Sequence, residues 1–164
     1  MLQKKICMVG AFATGKTSLV ARYVQGIYSD KYQTTVGVKI DKKTVSVLGQ
    51  ELNLILWDIH GEDEFQKIKM SYLRGSAGYI LVVDGTRRDT LGTVFQLQAK
   101  AKETIGDVPF ITIINKYDLN QDWEIGEEEL DELSQREWTY LMGSARTGLG
   151  VEECFTKLAQ MMIY

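Results

Sequence analysis

The fold of this chain is decided by one short stretch near its start, Gly10-Ala11-Phe12-Ala13-Thr14-Gly15-Lys16-Thr17. An apolar run before it, Ile6 to Val9, predicts a strand, and apolar residues at helical spacing after it predict a helix. The stretch fits the pattern G-x-x-x-x-G-K-[ST] at the junction of a strand and a helix. In such a loop backbone N–H groups surround phosphate oxygens, the lysine supplies a mobile cation, and the hydroxyl binds magnesium. The stretch therefore predicts a phosphate-binding loop.

The rest of the chain alternates predicted strands with predicted helices. Apolar residues at strand spacing from Val36 to Val47, a turn at Gly49 and a returning apolar stretch, Leu52 to Trp57, predict a hairpin. Near-continuous apolar runs at Tyr79 to Val83 and Phe110 to Ile114 predict central parallel strands. Helices are predicted over 91–105, 127–136 and 151–162, and a last strand is predicted over 138–142. This alternation predicts an α/β fold with a doubly wound sheet in a single domain, 1–164.

Composition and charge exclude several classes of function. The 164 residues are 45% hydrophobic and 25% charged, which is typical of an ordinary globular domain. A net charge of -3 gives no electrostatic reason to expect binding to nucleic acid. Cys7 and Cys154 lie in apolar stretches, which predicts buried thiols in a reducing, cytoplasmic compartment. No apolar run approaches the length of a membrane span and neither end carries a lipidation pattern, so we expect no membrane anchor in this chain.

A carboxylate follows the second strand of the predicted hairpin, in the stretch Trp57-Asp58-Ile59-His60-Gly61. Ligands of open α/β sheets bind at the carboxyl ends of the strands, so Asp58 is expected beside the phosphate-binding loop. A carboxylate at this point can hold magnesium through a water molecule. The pattern D-x-x-G is weak alone, and it gains weight only because the loop already defines where phosphate would lie.

Two further polar segments follow predicted strands. The first is Asn115-Lys116-Tyr117-Asp118, whose aspartate can only accept hydrogen bonds and therefore suits the paired N–H donors on one edge of guanine. An ordinary polar turn is the other interpretation of these residues. The second is the turn from Gly143 to Gly148, which could offer a backbone N–H to the base but is uninformative alone.

Taken in order and with their separations, these four segments resemble the guanine-nucleotide motifs of the Ras superfamily of small GTPases, and the resemblance spans essentially the whole chain. The Rab branch is the most similar. Thr35-Val36-Gly37-Val38 resembles its first switch, and Trp57-Asp58, Phe65 and Ser71-Tyr72-Leu73-Arg74-Gly75 resemble its second. The resemblance implies a P-loop NTPase fold, a Ras-like G domain with a central mixed, mostly parallel six-stranded sheet flanked by helices. It also implies a guanine-nucleotide-dependent switch that binds GTP or GDP with Mg²⁺ and hydrolyses GTP.

The resemblance also implies roles for individual residues. Thr17 and Thr35 would ligate Mg²⁺ directly and Asp58 through a water molecule. Catalysis would involve Lys16, the amide of Gly61, and Glu62. The residues implied to bind the nucleotide are Gly10, Ala11, Phe12, Ala13, Thr14, Gly15, Lys16, Thr17, Ser18, Tyr28, Thr35, Gly61, Asn115, Lys116, Asp118, Ser144, Ala145 and Arg146.

Two residues depart from the family pattern close to the γ-phosphate. Glu62 stands where the family usually has the glutamine that orients the attacking water, and Phe12 stands where the Ras branch often has glycine. Both departures predict slow hydrolysis. The alternative is a guanine-nucleotide-binding scaffold that does not hydrolyse GTP. A nucleotide kinase is disfavoured because the sequence offers no lid or arginine-rich acceptor pocket.

Protein partners are the last expectation. Ile40, Trp57 and Tyr72 occupy positions that resemble the three hydrophobic residues with which Rab proteins contact effectors. Exposed aromatic residues of this kind often carry much of the binding energy of an interface. Half-buried packing is the structural alternative for Trp57 and Tyr72. We expect a monomer that contacts effectors and regulators through its two switch segments.

Overall fold

A central sheet of six strands organises the computed structural model, which describes residues 2–26, 38–59 and 68–163. The strands are β1 (Leu2–Gly10), β2 (Val38–Val47), β3 (Gln50–Ile59), β4 (Gly78–Asp84), β5 (Phe110–Asn115) and β6 (Tyr140–Met142). The helices are α1 (Lys16–Gln25), α2 (Asp89–Ile105), α3 (Glu127–Gln135) and α4 (Val151–Met162). Two 3-10 turns cover Met70–Leu73 and Tyr117–Asp122.

The order of the strands confirms the predicted mixed, mostly parallel sheet. It runs β2-β3-β1-β4-β5-β6. Among the strands that the structure describes, only β2 and β3 pair antiparallel, and every other neighbouring pair is parallel. The predicted hairpin is therefore confirmed, and it closes through Leu48 and Gly49, with φ of 52° and 78°. Positive φ at both central residues is what a two-residue turn between twisted strands requires.

The core has two layers, one on each face of the sheet, because successive side chains of a strand point to opposite faces. In β1, Ile6 and Met8 belong to the layer beneath α1 and α4, whereas Cys7 and Val9 belong to the layer beneath α2 and α3. Every residue of β4 is buried, as its continuous apolar run predicts. Both cysteines are free and buried, which confirms the predicted thiols.

One predicted strand is longer than the strand observed. The sequence predicts a strand over 138–142, but β6 begins only at Tyr140. The ring of Trp138 instead packs edge-on against the rings of Phe95 and Phe110, at centroid distances of 5.0 and 5.1 Å. The left-handed φ of 59° at Glu137 turns the chain just before this point. The apolar residue at 138 therefore indicates packing against neighbouring rings, not strand pairing.

Candidate functional site

Loops that follow the parallel strands meet at one edge of the sheet. The stretch 10–17 follows β1, Asp58 lies at the end of β3, and Asp84 and Asn115 end β4 and β5. The loop after β6 carries Ser144, Ala145 and Arg146. This carboxyl edge is where open α/β sheets bind their ligands.

Two glycines of the stretch 10–17 occupy positions where no side chain fits. A Cβ at Gly10 would lie 2.5 Å from the carbonyl oxygen of Val82. A Cβ at Gly15, whose φ is 101°, would lie 2.3 Å from Nδ2 of Asn115. Ala13 also adopts a left-handed φ of 62°, and Thr14 is fully buried. The loop is therefore packed closely between β4 and the start of the Asn115 segment.

Lys16, the first residue of α1, carries a buried ammonium group into this loop. Its Nζ donates hydrogen bonds to the carbonyl oxygens of Ala11 at 3.0 Å and Gly10 at 3.4 Å. Burial lowers the pKa of Lys16 to about 8, although the negative charge of Asp58 opposes this shift. A cation and the N-terminal N–H groups of α1 at one point favour an anion such as a phosphate group.

The hydroxyl of Thr17 and the carboxylate of Asp58 lie together at the start of α1. The hydroxyl of Thr17 donates a hydrogen bond to Oδ2 of Asp58 at 2.5 Å. Asp58 is almost completely buried. A hydroxyl and a carboxylate are hard oxygen donors, which is the chemistry that Mg²⁺ selects, usually with phosphate oxygens completing its shell. The donor set therefore fits the predicted metal.

Asn115 connects the loop after β1 to the loop after β6. Its Nδ2 donates to the carbonyl oxygen of Thr14 at 2.9 Å, and its Oδ1 accepts from the backbone N–H of Ala145 at 3.2 Å. In the same region the hydroxyl of Ser144 donates to Oδ1 of Asp118 at 2.7 Å. The sequence-predicted phosphate and base segments are thus brought together by direct hydrogen bonds.

Two residues at this edge, Asp84 and Arg87, are not predicted from the sequence. Asp84, the buried last residue of β4, accepts hydrogen bonds at Oδ2 from Nε of Arg87 at 3.0 Å and from Nζ of Lys116 at 2.8 Å. Burial alone would raise the pKa of Asp84, but hydrogen bonds from Lys116 and Thr86 hold that pKa below its ordinary value. A charged residue directly after a buried strand is the signal that could have found Asp84, since the same signal predicts Asp58.

The three predicted partner-binding residues lie next to one another. Ile40 pairs across the hairpin with Trp57, and the rings of Trp57 and Tyr72 are 6.4 Å apart. Ile40 is 54% exposed, whereas Trp57 and Tyr72 are half-buried. Nζ of Lys5 lies 3.5 Å from the centroid of the Trp57 ring. The patch combines an exposed aliphatic side chain with two partly accessible aromatic rings.

Four predicted site residues, Tyr28, Thr35, Gly61 and Glu62, lie outside the described residues, as do Val36, Gly37 and Phe65. Ser18 is half-buried in the first turn of α1, and Arg146 is exposed. In the parts of the chain that the structure describes, no helix has the length and apolar character needed to cross a membrane.

The fold and the loop after β1 define a P-loop nucleotide-binding protein of the α/β class. The sequence profile of the Ras family matches residues 5–164. This chain belongs to the Ras family.

Rab proteins are among its relatives. Ras-related protein Rab-1 of Theileria parva is 32% identical over 161 residues, which cover 96% of this chain and 73% of the relative. Ras-related protein Rab-4 of Dictyostelium discoideum is 31% identical, with 97% and 78% covered. Human Ras-related protein Rab-4B is 32% identical, with 97% and 76% covered. The chain is therefore a small GTPase near the Rab branch, a switch that binds guanine nucleotides and hydrolyses GTP. The non-hydrolysing scaffold is not favoured.

Proposed function

We propose that the carboxyl edge of the sheet is the GTP site of this GTPase and that it works with Mg²⁺. In this proposal residues 10–18 surround the phosphates, and Asn115, Lys116, Asp118 and the turn 144–146 hold guanine. The supporting observation is the pair of hydrogen bonds from Asn115 to Thr14 and Ala145, because it ties the phosphate and base segments into one site.

Thr17 and Asp58 are the proposed protein side of the magnesium site, joined by Thr35 when the γ-phosphate is present. A bound Mg²⁺ would neutralise charge on the phosphate oxygens. Lys16 adds a second positive charge. Its ammonium group is held by hydrogen bonds to the carbonyl oxygens of Gly10 and Ala11, and bound phosphate would replace these oxygens as the acceptor. Thr17, at the start of α1, and Asp58, in β3, are held by regular elements, so this part of the site is rigid.

The hydrolytic step in this proposal is attack of water on the γ-phosphate, and it is slow. A neutral glutamine amide can both accept from and donate to the water, whereas an ionised Glu62 can only accept. Glu62 also adds negative charge beside an anionic phosphate, which opposes the approach of water. The transition state is stabilised mainly by positioning and positive charge, so the extra basicity of glutamate adds little to the rate of hydrolysis. Phe12 adds bulk where an arginine from an activating partner would enter.

Single-turnover hydrolysis of bound GTP tests this proposal. We expect Glu62→Gln to hydrolyse GTP faster than the parent, and Phe12→Gly combined with Glu62→Gln to respond more to an activating partner. Glu128→Gln, the same change at an exposed position of α3, is the matched control and leaves the rate unchanged. If Glu62→Gln is no faster than the parent, glutamate is a working catalytic residue and the proposed cause of slow hydrolysis is wrong.

The patch formed by Ile40, Trp57 and Tyr72 is the proposed effector-contacting surface. Its support is the exposure of Ile40 and the adjacency of the two aromatic rings. Trp57→Ala should weaken binding of a GTP-dependent partner by more than ~1 kcal/mol without loss of nucleotide affinity. Loss of folding with no selective effect on a partner would instead indicate that Trp57 is a packing residue.

A further inference from the structure

Two cations from outside the phosphate-binding loop hold two consecutive carbonyl groups of that loop. Nη2 of Arg87 donates to the carbonyl oxygen of Phe12 at 2.7 Å. Nζ of Lys116 donates to the carbonyl oxygen of Ala13 at 3.1 Å. Arg87 follows β4 and Lys116 follows β5, so the loop is hydrogen-bonded by residues that follow two neighbouring strands.

The carboxylate of Asp84 binds both Arg87 and Lys116 and so fixes their positions. Its Oδ2 accepts from Nε of Arg87 and from Nζ of Lys116, while its Oδ1 accepts from the backbone N–H and the hydroxyl of Thr86, at 2.9 and 2.7 Å. Oγ1 of Thr90 accepts from the backbone N–H of Asp84 at 2.9 Å. The hydroxyl proton of Thr90 has the carbonyl oxygen of Arg87 at 2.7 Å and that of Asp84 at 3.2 Å as acceptors. Asp84 is buried at the end of β4, so this anchor is rigid.

The orientation of these carbonyl groups decides which way the loop N–H groups point. A trans peptide unit is planar, with its C=O and its N–H on opposite sides. Drawing the carbonyl groups of Phe12 and Ala13 toward the cations therefore directs the N–H groups of Ala13 and Thr14 away from them. Ala13 has a left-handed φ of 62°, and such a residue within a turn helps to make a concave group of N–H donors that binds anions.

We propose that Asp84 and Arg87 are positioning residues that hold the phosphate-binding loop ready for the nucleotide by fixing the carbonyl groups of Phe12 and Ala13. The proposal rests on the proposed function of residues 10–18 as the phosphate site. Arg87 acts on the nucleotide through the loop, because its guanidinium is engaged by Asp84 and by the Phe12 carbonyl. Its removal leaves Lys116 as the remaining cation on Asp84 among the described residues.

Arg88 provides a matched control next to Arg87. Its guanidinium faces α3 and the segment before that helix, with Nη2 donating to the carbonyl oxygen of Glu124 at 3.1 Å and Nε lying 3.4 Å from Oε1 of Glu129 in α3. Replacing Arg88 therefore removes the same charge from the same segment without touching the phosphate-binding loop.

The first experiment measures release of fluorescent GDP from the full chain. We expect Arg87→Met, which keeps the aliphatic stem, to release GDP about tenfold faster than the parent, the effect of losing one hydrogen bond from a charged donor. Arg87→Lys should fall between them, because one ammonium can keep one of the two contacts. Arg88→Met should stay within about twofold of the parent. The proposal is overturned if Arg87→Met and Arg88→Met release GDP at equal rates. It is also overturned if Arg87→Lys and Arg87→Met both release GDP at the rate of the parent.

A second measurement separates positioning of the loop from a general loss of stability. Phosphorus NMR of bound GDP should show a shifted β-phosphate resonance in Arg87→Met, with the preference for guanine over xanthine unchanged. Faster release with an unshifted β-phosphate resonance overturns the proposal, because the effect is then merely structural.

Lys16→Ala distinguishes failure of the proposed phosphate site from failure of the role of Arg87. If it leaves GDP binding intact, the proposed phosphate site fails, and the role of Arg87 fails with it. If it abolishes GDP binding while Arg87→Met behaves like Arg88→Met, only the role of Arg87 fails.

Discussion

The hydroxyl of Thr17 donates a hydrogen bond to the carboxylate of Asp58 at 2.5 Å across 41 residues of sequence. This contact joins the first turn of α1 to the end of β3, so the hydroxyl and the carboxylate that we propose as magnesium-binding groups are adjacent. Both residues lie on regular elements, which limits how far either can move. The proposed magnesium site therefore requires little movement of either residue.

Thr17→Val should weaken the effect of Mg²⁺ on bound nucleotide. Valine keeps the shape of threonine but removes the hydroxyl, so the concentration of Mg²⁺ that half-maximally slows GDP release should rise by about tenfold or more. The measurement is GDP release over a titration of Mg²⁺. Thr104→Val is the matched control, because that hydroxyl donates to the carbonyl oxygen of Lys100 within α2 at 2.8 Å. Equal Mg²⁺ midpoints for all three proteins would contradict Thr17 as a ligand.

Asp118→Asn should exchange the base preference of the site. The carboxylate of Asp118 accepts from Ser144 at 2.7 Å and can only accept, which suits guanine donors, whereas an amide also suits the carbonyl that xanthine presents. Sites built on paired hydrogen bonds discriminate by ~10⁴ to 10⁵, so GDP affinity should fall by at least ~100-fold while xanthosine diphosphate becomes the preferred ligand. Asp122→Asn, in the same 3-10 turn, is the control and should change neither affinity. Displacement of GDP from the parent by excess ADP would disprove the base assignment.

The sequence predicts most elements of the fold because their apolar patterns are strong and local. The final helix is predicted with the bounds that α4 has, Val151–Met162, since its buried residues recur at helical spacing. The strands β4 and β5 are predicted from continuous apolar runs, although β4 extends one residue further at each end, to Gly78 and Asp84, and β5 extends one residue further, to Asn115. The predicted start of β6 is wrong, because the half-buried Trp138 packs through its ring and does not require strand pairing.

The candidate site is only partly predictable for a different reason. Its glycine, lysine and aspartate motifs are visible because they are contiguous in sequence. The contact between Arg87 and the carbonyl of Phe12 joins residues 75 positions apart and uses a backbone acceptor, which every residue type provides. No residue pattern can indicate such a partner before the strands are placed side by side.

Gly85→Ala should destabilise the protein through Trp123. A Cβ at Gly85 would lie 2.1 to 2.5 Å from three atoms of the Trp123 indole. The indole is held in place, because its Nε1 donates to the carbonyl oxygen of Lys116 at 2.9 Å. Overpacking of this kind costs ~1–3 kcal/mol of unfolding free energy, which lowers the melting temperature of a domain of this size by several degrees.

Gly92→Ala is the matched control for that substitution. Gly92 lies inside α2, and no atom of another described residue outside that helix turn lies within 4 Å of the point where the alanine methyl group would stand. Alanine there should therefore raise stability by ~0.5–1 kcal/mol. Thermal unfolding of the GDP-loaded proteins checks both changes. Melting shifts of the same sign for the two variants would show that contact with Trp123 is not what decides the effect.

Binding of GDP above pH 8 should be accompanied by uptake of a proton. We expect Lys16 to take up this proton and to cause the change of GDP affinity with pH. Burial lowers the pKa of Lys16 to about 8, so the ammonium is mostly charged well below pH 8 and mostly neutral well above it. Phosphate anions favour the charged form and raise this pKa, so GDP binds the protonated protein more tightly. The contribution of Lys16 to affinity should therefore be nearly constant below about pH 7 and fall above pH 8, by at most about tenfold per pH unit.

Isothermal titration calorimetry in two buffers of different ionisation enthalpy measures that proton. At pH 8.5 we expect uptake of more than half a proton, and at pH 7 almost none, because a group with a pKa of about 8 is mostly neutral at the first value and mostly charged at the second. Lys16→Arg is the control, since a guanidinium stays charged throughout and should abolish the uptake even where affinity is reduced. Binding is a better measurement than unfolding, because burial raises the pKa of Tyr23 and of Cys154 to about 12 and their titration opposes that of Lys16 in the unfolding equilibrium. Equal proton uptake by the parent and Lys16→Arg at pH 8.5 would show that the buried lysine does not set the pH dependence.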